Sequence, residues 1–417
     1  NRKKEMFEIK NKGMIVLCAA IFVSFPTVVS SFAYMYTADA YLLAFLLATL
    51  AVYLTWCVKK WGTIAGMVCL AFAMGIYQAY ATVAIVLVLL YIIRQFVIEK
   101  LDFLEAVRKD LKYLGMLVGG AVLYAVILKI TLIRYNITLP GYQGIGALGI
   151  MSLGQYKAAL QKTLYHFRLI LGMEHGVEKH VYSLLNAAAL LLIGLILIYL
   201  LVRNQVYKKK MSMLASIAAV CLIPVGAYFI NFTSPDVQYY TLMEMAVCLI
   251  YLLMIIMLLQ LDWKTWISKI LKGCGIFVLC GLVYYNVINC NIAYFNMNLS
   301  YHKSISIAED VLQRIEQMDE FQNQHDKVVI MGDYNCATEN LQIMMPSIMG
   351  ISNDSFLNDS YHYTIIWNYC FGVQMEQASY DEMMEIVETD EYKNMPVYPL
   401  KGCVDYINGV IVVRMQE

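Results

Sequence analysis

A polytopic α-helical membrane protein with about nine transmembrane helices and a small C-terminal extracytoplasmic α/β domain is the fold class the sequence predicts. Three observations carry this. Of 417 residues, 60% are apolar or aromatic and only 15% are charged, with mean hydropathy +0.60. Soluble domains run nearer half apolar and a quarter charged, and disordered chains are poorer still in apolar residues. Residues 1–295 divide into apolar runs of roughly 20 residues, the length that crosses a bilayer. Charge is segregated within a neutral chain: residues 296–417 hold 6 Lys/Arg against 19 Asp/Glu, whereas residues 1–295 hold 25 against 12. Two chemically different parts, 1–295 in the bilayer and 296–417 outside it, follow from that division, and the net balance offers nothing to a nucleic acid.

The nine apolar runs are 14–34, 41–58, 62–76, 79–97, 113–133, 183–202, 212–231, 241–260 and 273–295. Lys and Arg are retained in cytoplasmic loops. The breaks at 1–12, 59–60, 94–112, 203–210 and 262–272 carry 5, 2, 5, 4 and 3 of them, and the alternate breaks at 35–40, 77–78 and 232–240 carry none. One alternation satisfies every loop, with the N-terminus cytoplasmic and the acidic C-terminal part outside. The longest break, 134–182, is then an outer loop. The chain starts at Asn1 inside a basic stretch, an arrangement that fits a processed end or a piece preceded by further spans equally well.

The outer part reads as a small α/β module. Ala308, Val311, Leu312, Ile315 and Met318 recur at helical spacing, Lys327–Met331 is strand-like, and residues 381–391 form an acidic helical candidate. Asn408-Gly409 between Val404–Ile407 and Val410–Val413 is the strongest short hairpin signal. Eight of eleven cysteines precede residue 291, mostly within spans, where they read as small packing residues; Cys336, Cys370 and Cys403 lack metal spacing.

Ionisable groups at the outer ends of spans are the candidates for chemistry. Asp39 opens the second span in Tyr36-Thr37-Ala38-Asp39-Ala40-Tyr41, as a helix-start carboxylate or as a working one. Tyr77, Gln78 and Tyr80 lie between the third and fourth spans on the same face. Gln and Tyr hydrogen-bond sugar hydroxyls while the ring packs on the sugar's apolar side. In the long outer loop, Leu160, Leu164, Phe167 and Leu171 make the apolar face of an amphipathic helix lying in the membrane interface. Lys162, His166 and Arg168 then sit at headgroup depth, able to hold a phosphate or simply to anchor the helix. His175, in Glu174-His175, follows as a proton-handling group or a solvated turn. Asp236 and Glu244 flank the outer end of the eighth span as further carboxylates. The sequence contains no Walker loop, Rossmann glycine fingerprint, zinc spacing or nucleophile elbow. No metal site and no cofactor is indicated, and a divalent cation remains open.

Phe25-Pro26 followed by Phe32, Tyr34 and Asp39-Ala40-Tyr41, then Gly75-Ile76-Tyr77-Gln78-Ala79-Tyr80, then Pro396-Val397-Tyr398-Pro399 and Ile407-Asn408-Gly409-Val410, resemble the bacterial Gtr-type, serotype-converting glucosyltransferases. The resemblance covers nearly the whole chain, with Tyr77-Gln78 and the terminal hairpin its most specific parts. It implies a GT-C membrane enzyme of the bacterial plasma membrane. Such an enzyme moves a sugar from a polyprenyl-phosphate donor to a surface glycan acceptor with inversion, as in O-antigen modification. It further implies a carboxylate that accepts the acceptor's proton and basic groups that stabilise the departing phosphate. Asp39 then takes the base or acceptor-anchoring role, Arg168 with His166 the phosphate, and Tyr36, Tyr77, Gln78 and Tyr80 the sugar. The family's principal carboxylate belongs to a first outer loop that precedes this chain if spans are missing. A transporter or flippase of lipid-linked sugars is the competing class, but it calls for internal repeats and mid-span polar groups. A membrane anchor for an acidic recognition domain needs far fewer than nine spans.

Overall fold

The computed structural model describes residues 6–7, 9–138, 149, 151–172, 181–237, 240–322, 324–332, 357 and 359–415. Two compact units divide near residue 291.

The first unit is helical. Six helices among the described residues are long and apolar enough to cross a membrane, and a bent pair makes up to seven. The bent pair is α1 (Lys12–Ser24) and α2 (Pro26–Phe32), at 46°. Asn11 caps α1 by accepting from the Met14 amide at 3.2 Å. Pro26 forces the break, because a residue before proline avoids the helical region, and Phe25 is extended at φ −68°, ψ 137°. α3 (Ala38–Cys57), α4 (Gly62–Ile76) and α5 (Ala81–Val97) follow, then α6 (Phe103–Tyr135), α7 (Leu153–Ile170) and α8 (Val181–Arg203). α9 (Lys210–Cys221) leads through the short α10 (Ile223–Ala227) to a 3-10 segment, Thr241–Cys248, that runs into α11 (Leu249–Leu258). α12 (Trp266–Glu316) contains 51 residues. Six of the nine expected runs fall on helices of spanning length and 14–34 falls on the bent pair, whereas α4 and α9 are shorter apolar helices and the run at 212–231 is interrupted at Leu222 and Tyr228. Close approach explains how the short α4 packs: Gly66 meets Thr55 and Met116, and Gly120 of α6 meets Leu70, so a side chain at either position collides.

The second unit is an α/β module. Its sheet has the order β2-β1-β4-β3, with β1 (Gln324–Met331) parallel to both β2 (Gln374–Gln377) and β4 (Val410–Arg414), and β3 (Val404–Ile407) antiparallel to β4. The expected hairpin is present, with Ile407 opposite Val410 and both Asn408 and Gly409 at positive φ, 53° and 84°. That is the backbone a tight two-residue turn requires. Alternation along the strands makes two cores. Val328, Ile330, Ile411 and Val413 bury against Ala308, Val311 and Ile315 at the end of α12 and against Trp367. Val329, Met331, Val410 and Val412 bury on the opposite face with Ile386 and Met395. α13 (Ser360–Ile366) continues into a π-helical turn at Trp367–Phe371. The acidic helical candidate is two helices, α14 (Tyr380–Val387) and α15 (Asp390–Asn394). A reciprocal cap starts α14: Ser379 and Glu382 each accept the other's backbone amide, while Lys327 holds the Glu382 carboxylate at 2.5 Å. Those bonds hold the Glu382 carboxyl down at about 2.

Candidate functional site

Two groupings of polar and aromatic side chains meet in the first unit, with the segment Thr241–Cys248 packed against elements of both.

The first grouping is tyrosine-rich. The start of α3 brings Tyr41 to the turn after α4, with ring centroids 5.1 Å from Tyr77 and 6.4 Å from Tyr80. Tyr34, Tyr41, Tyr77 and Tyr240 pack around buried Ala79, Leu242 and Met243. The connection carrying Asp39 and the connection carrying Gln78 therefore lie together. Within this grouping the residues differ sharply in access. Tyr36 is 85% exposed and Asp39 is exposed in the first turn of α3, accepting from the Ala40 amide at 2.8 Å. Tyr80 is buried at 1% exposure. Gln78 is half-buried and donates to the Tyr124 hydroxyl of α6 at 2.6 Å.

The second grouping is built by α7. Ser152 and Gln155 form a capping box that fixes its start. The helix shows three faces rather than the two that sequence periodicity suggests. Ala159, Thr163 and Ile170 are buried, with Lys162 and His166 half-buried beside them. Leu153, Leu160 and Leu164 form an exposed apolar stripe, and Gln161 and Arg168 an exposed polar one. Lys162 and His166 thus turn toward the protein and Arg168 away from it. Lys162 donates to the Val237 carbonyl, and Asn231 donates to Thr163 at 3.2 Å. The His166 ring stacks on Tyr228, centroids 6.2 Å apart and planes 23° apart. Tyr228 in turn donates to the Glu244 carboxylate at 2.8 Å, with both residues buried.

Burial sets the charge states at this junction. Desolvation, followed by the nearby Lys162 charge, pushes the His166 imidazole down to about 4, so it is neutral near pH 7. Burial also lowers Lys162, opposed by the exposed Asp236 carboxylate. Met151, Gln155, Lys162, Asn231 and Ser234 line a small cavity of about 90 Å³ beside them. His175 lies outside the described residues, as do Glu174, Cys336 and Tyr239. Cys370 and Cys403 are free thiols. Among the described residues no group of three or more His, Cys, Asp or Glu is placed to hold a metal ion.

Sequence reasoning missed Tyr228, Tyr124 and Tyr41 as the side chains that tie the candidates together. Tyr228 lies inside an apolar run, and nothing in one sequence pairs it with a glutamate sixteen positions on. A further buried network, also unanticipated, joins Asn186 of α8 to the Tyr251 hydroxyl at 2.5 Å and to the Leu171 carbonyl at 3.2 Å.

Comparison with curated proteins and with solved structures gave no match. The family model for glucosyl transferase GtrII matches residues 4–243, which takes in Asp39, the Tyr77–Tyr80 turn, all of α7 and Asp236, and stops one residue short of Glu244. With more than half of its length inside that match, the chain belongs to the glucosyl transferase GtrII family.

Proposed function

We propose that this chain transfers glucose from a polyprenyl phosphate to a surface glycan on the extracytoplasmic side of a bacterial plasma membrane. The family match carries the glucosyl transfer. The packing of Tyr34, Tyr41, Tyr77 and Tyr240 on Leu242 and Met243 of one 3-10 segment, which also carries Glu244 of the Glu244–Tyr228–His166 group, supports a single site for it. In this reading that end of the helical unit faces outward, and the α7 apolar stripe lies on lipid.

The chemistry is an inverting displacement. An acceptor hydroxyl attacks the anomeric carbon, its proton passes to a carboxylate, and the bond from that carbon to the phosphate oxygen breaks to release polyprenyl phosphate. Asp39 suits the base or acceptor-anchoring role because it is an exposed carboxylate two residues before Tyr41 of the tyrosine grouping. Arg168 on the outward polar stripe of α7 suits the leaving phosphate, which needs a cation at headgroup depth. Lys162 and His166 then act one layer in, setting the position of α7. Asp236 sits close enough to influence Lys162, and Glu244 is the buried reserve carboxylate.

The test is a purified full-length protein offered polyprenyl-phosphate glucose with and without glycan acceptor. Release of polyprenyl phosphate only when acceptor is present is expected. Movement of the lipid across vesicles without turnover overturns the transferase reading in favour of a carrier.

A further inference from the structure

α12 carries two buried amides that differ from the buried Gln95, Asn186 and Asn231, each of which makes at least one hydrogen bond. Asn286 and Asn289 are each 0% exposed, and every nitrogen and oxygen of both side chains lacks a hydrogen-bond partner among the described residues. Apolar residues precede them on the same buried stripe, Leu279 and Leu282, and Ala293 follows. Two amides about one turn apart thus interrupt the apolar seam between Leu279 and Ala293.

The contrast with neighbouring residues is informative. Asn291, also on α12, returns its amide to the Val287 carbonyl at 2.9 Å, the local bond that polar side chains in helices ordinarily find. Ser31 and Thr55 do the same with carbonyls one turn back, at 2.9 and 2.8 Å. Asn286 and Asn289 do not, and neither do the buried hydroxyls of Thr27 and Ser30 on α2. α12 meets the break between α1 and α2 directly: the Cys290 thiol donates to the Ser24 carbonyl at 3.1 Å. Unpaired amides and unpaired hydroxyls therefore flank a point where one helix is broken.

An unpaired buried amide is costly, and apolar side chains of the same size remove the cost. Retaining two of them fits a ligand that supplies both donors and acceptors, since each amide offers an acceptor oxygen and two donor hydrogens. Sugar hydroxyls have that dual character. We propose that Asn286 and Asn289 bind hydroxyl groups of the donor's glucosyl ring, which enters as the α1–α2 break parts from α12. This rests on the reading of a polyprenyl-linked glucose donor.

The experiment compares the full-length wild type with N286L/N289L, each in lipid nanodiscs, for thermal midpoint and for transfer from polyprenyl-phosphate glucose. The expected result is a midpoint equal to or above wild type together with a donor KM raised about tenfold or more. A lowered midpoint overturns the proposal, because it means that the amides hold helices together. Unchanged transfer kinetics also overturn it, whether or not the midpoint rises, and show that water alone serves these groups. If the double variant does not accumulate, N286L and N289L are measured singly, and destabilisation by both overturns the proposal. A wild type inactive on this donor refutes the donor reading instead, which keeps the two failures distinguishable.

Discussion

The Tyr228 hydroxyl donates to the Glu244 carboxylate at 2.8 Å while the Tyr228 ring stacks on His166, so one side chain fixes both a buried acid and helix α7. Tyr228→Phe removes the donor and keeps the ring. The expected loss is about 1–3 kcal/mol of stability, the cost of leaving a buried acceptor unpaired. Chemical unfolding of the purified protein measures it. Glu244→Gln keeps the volume and still accepts from Tyr228. If the carboxylate takes part in transfer, the rate falls about a hundredfold with the fold intact; an unchanged rate confines Glu244 to structure.

His166 makes stability depend on pH in a stated direction. Its folded value near 4 lies below the ordinary 6.5, so protons bind the unfolded chain more readily in between. Its contribution is therefore fully present above about pH 6.5 and is lost as the pH falls toward 4. Thermal midpoints across that interval should drop more steeply in the wild type than in His166→Gln. Equal slopes rule out a buried neutral imidazole.

Asp39→Asn tests the exposed carboxylate. Asparagine keeps an oxygen for the Ala40 amide, so the thermal midpoint should hold while transfer falls about a hundredfold. Full activity in this variant removes Asp39 from the proton-accepting role.

The three faces of α7 separate two cations that sequence alone groups together. Arg168→Ala should raise the donor KM and leave stability unchanged, because the side chain is exposed. Lys162→Met should lower stability, because Lys162 holds the Val237 carbonyl. Melting curves and donor titrations on both variants check this pairing, and a stability loss in the Arg168 variant alone reverses it.

Much of the architecture was legible because it follows from local rules. Asn408-Gly409 marks the hairpin and the unbroken apolar run Val410–Val413 a strand buried on both faces, whereas the run 14–34 reads as one span and the structure bends it at Pro26. The strand β2 and the helix α13 escaped notice because Gln374–Gln377 is mostly polar and Ser360–Ile366 has no apolar period. The site was legible only in part. Asp39 and the Tyr77 turn announce themselves as polar interruptions of apolar runs. Tyr228, Asn286 and Asn289 do not, since their meaning lies in what surrounds them in space. The inward turn of Lys162 and His166 was hidden because periodicity reports how a helix is striped and not which stripe meets protein.

α7 presents its leucines on one side and, on another, holds the histidine that rests on Glu244's hydrogen-bond donor. If those leucines lie on lipid as proposed, the thickness and charge of the surrounding bilayer become inputs to the acid's setting. Turnover should then vary with the composition of the reconstituting bilayer, even at fixed substrate.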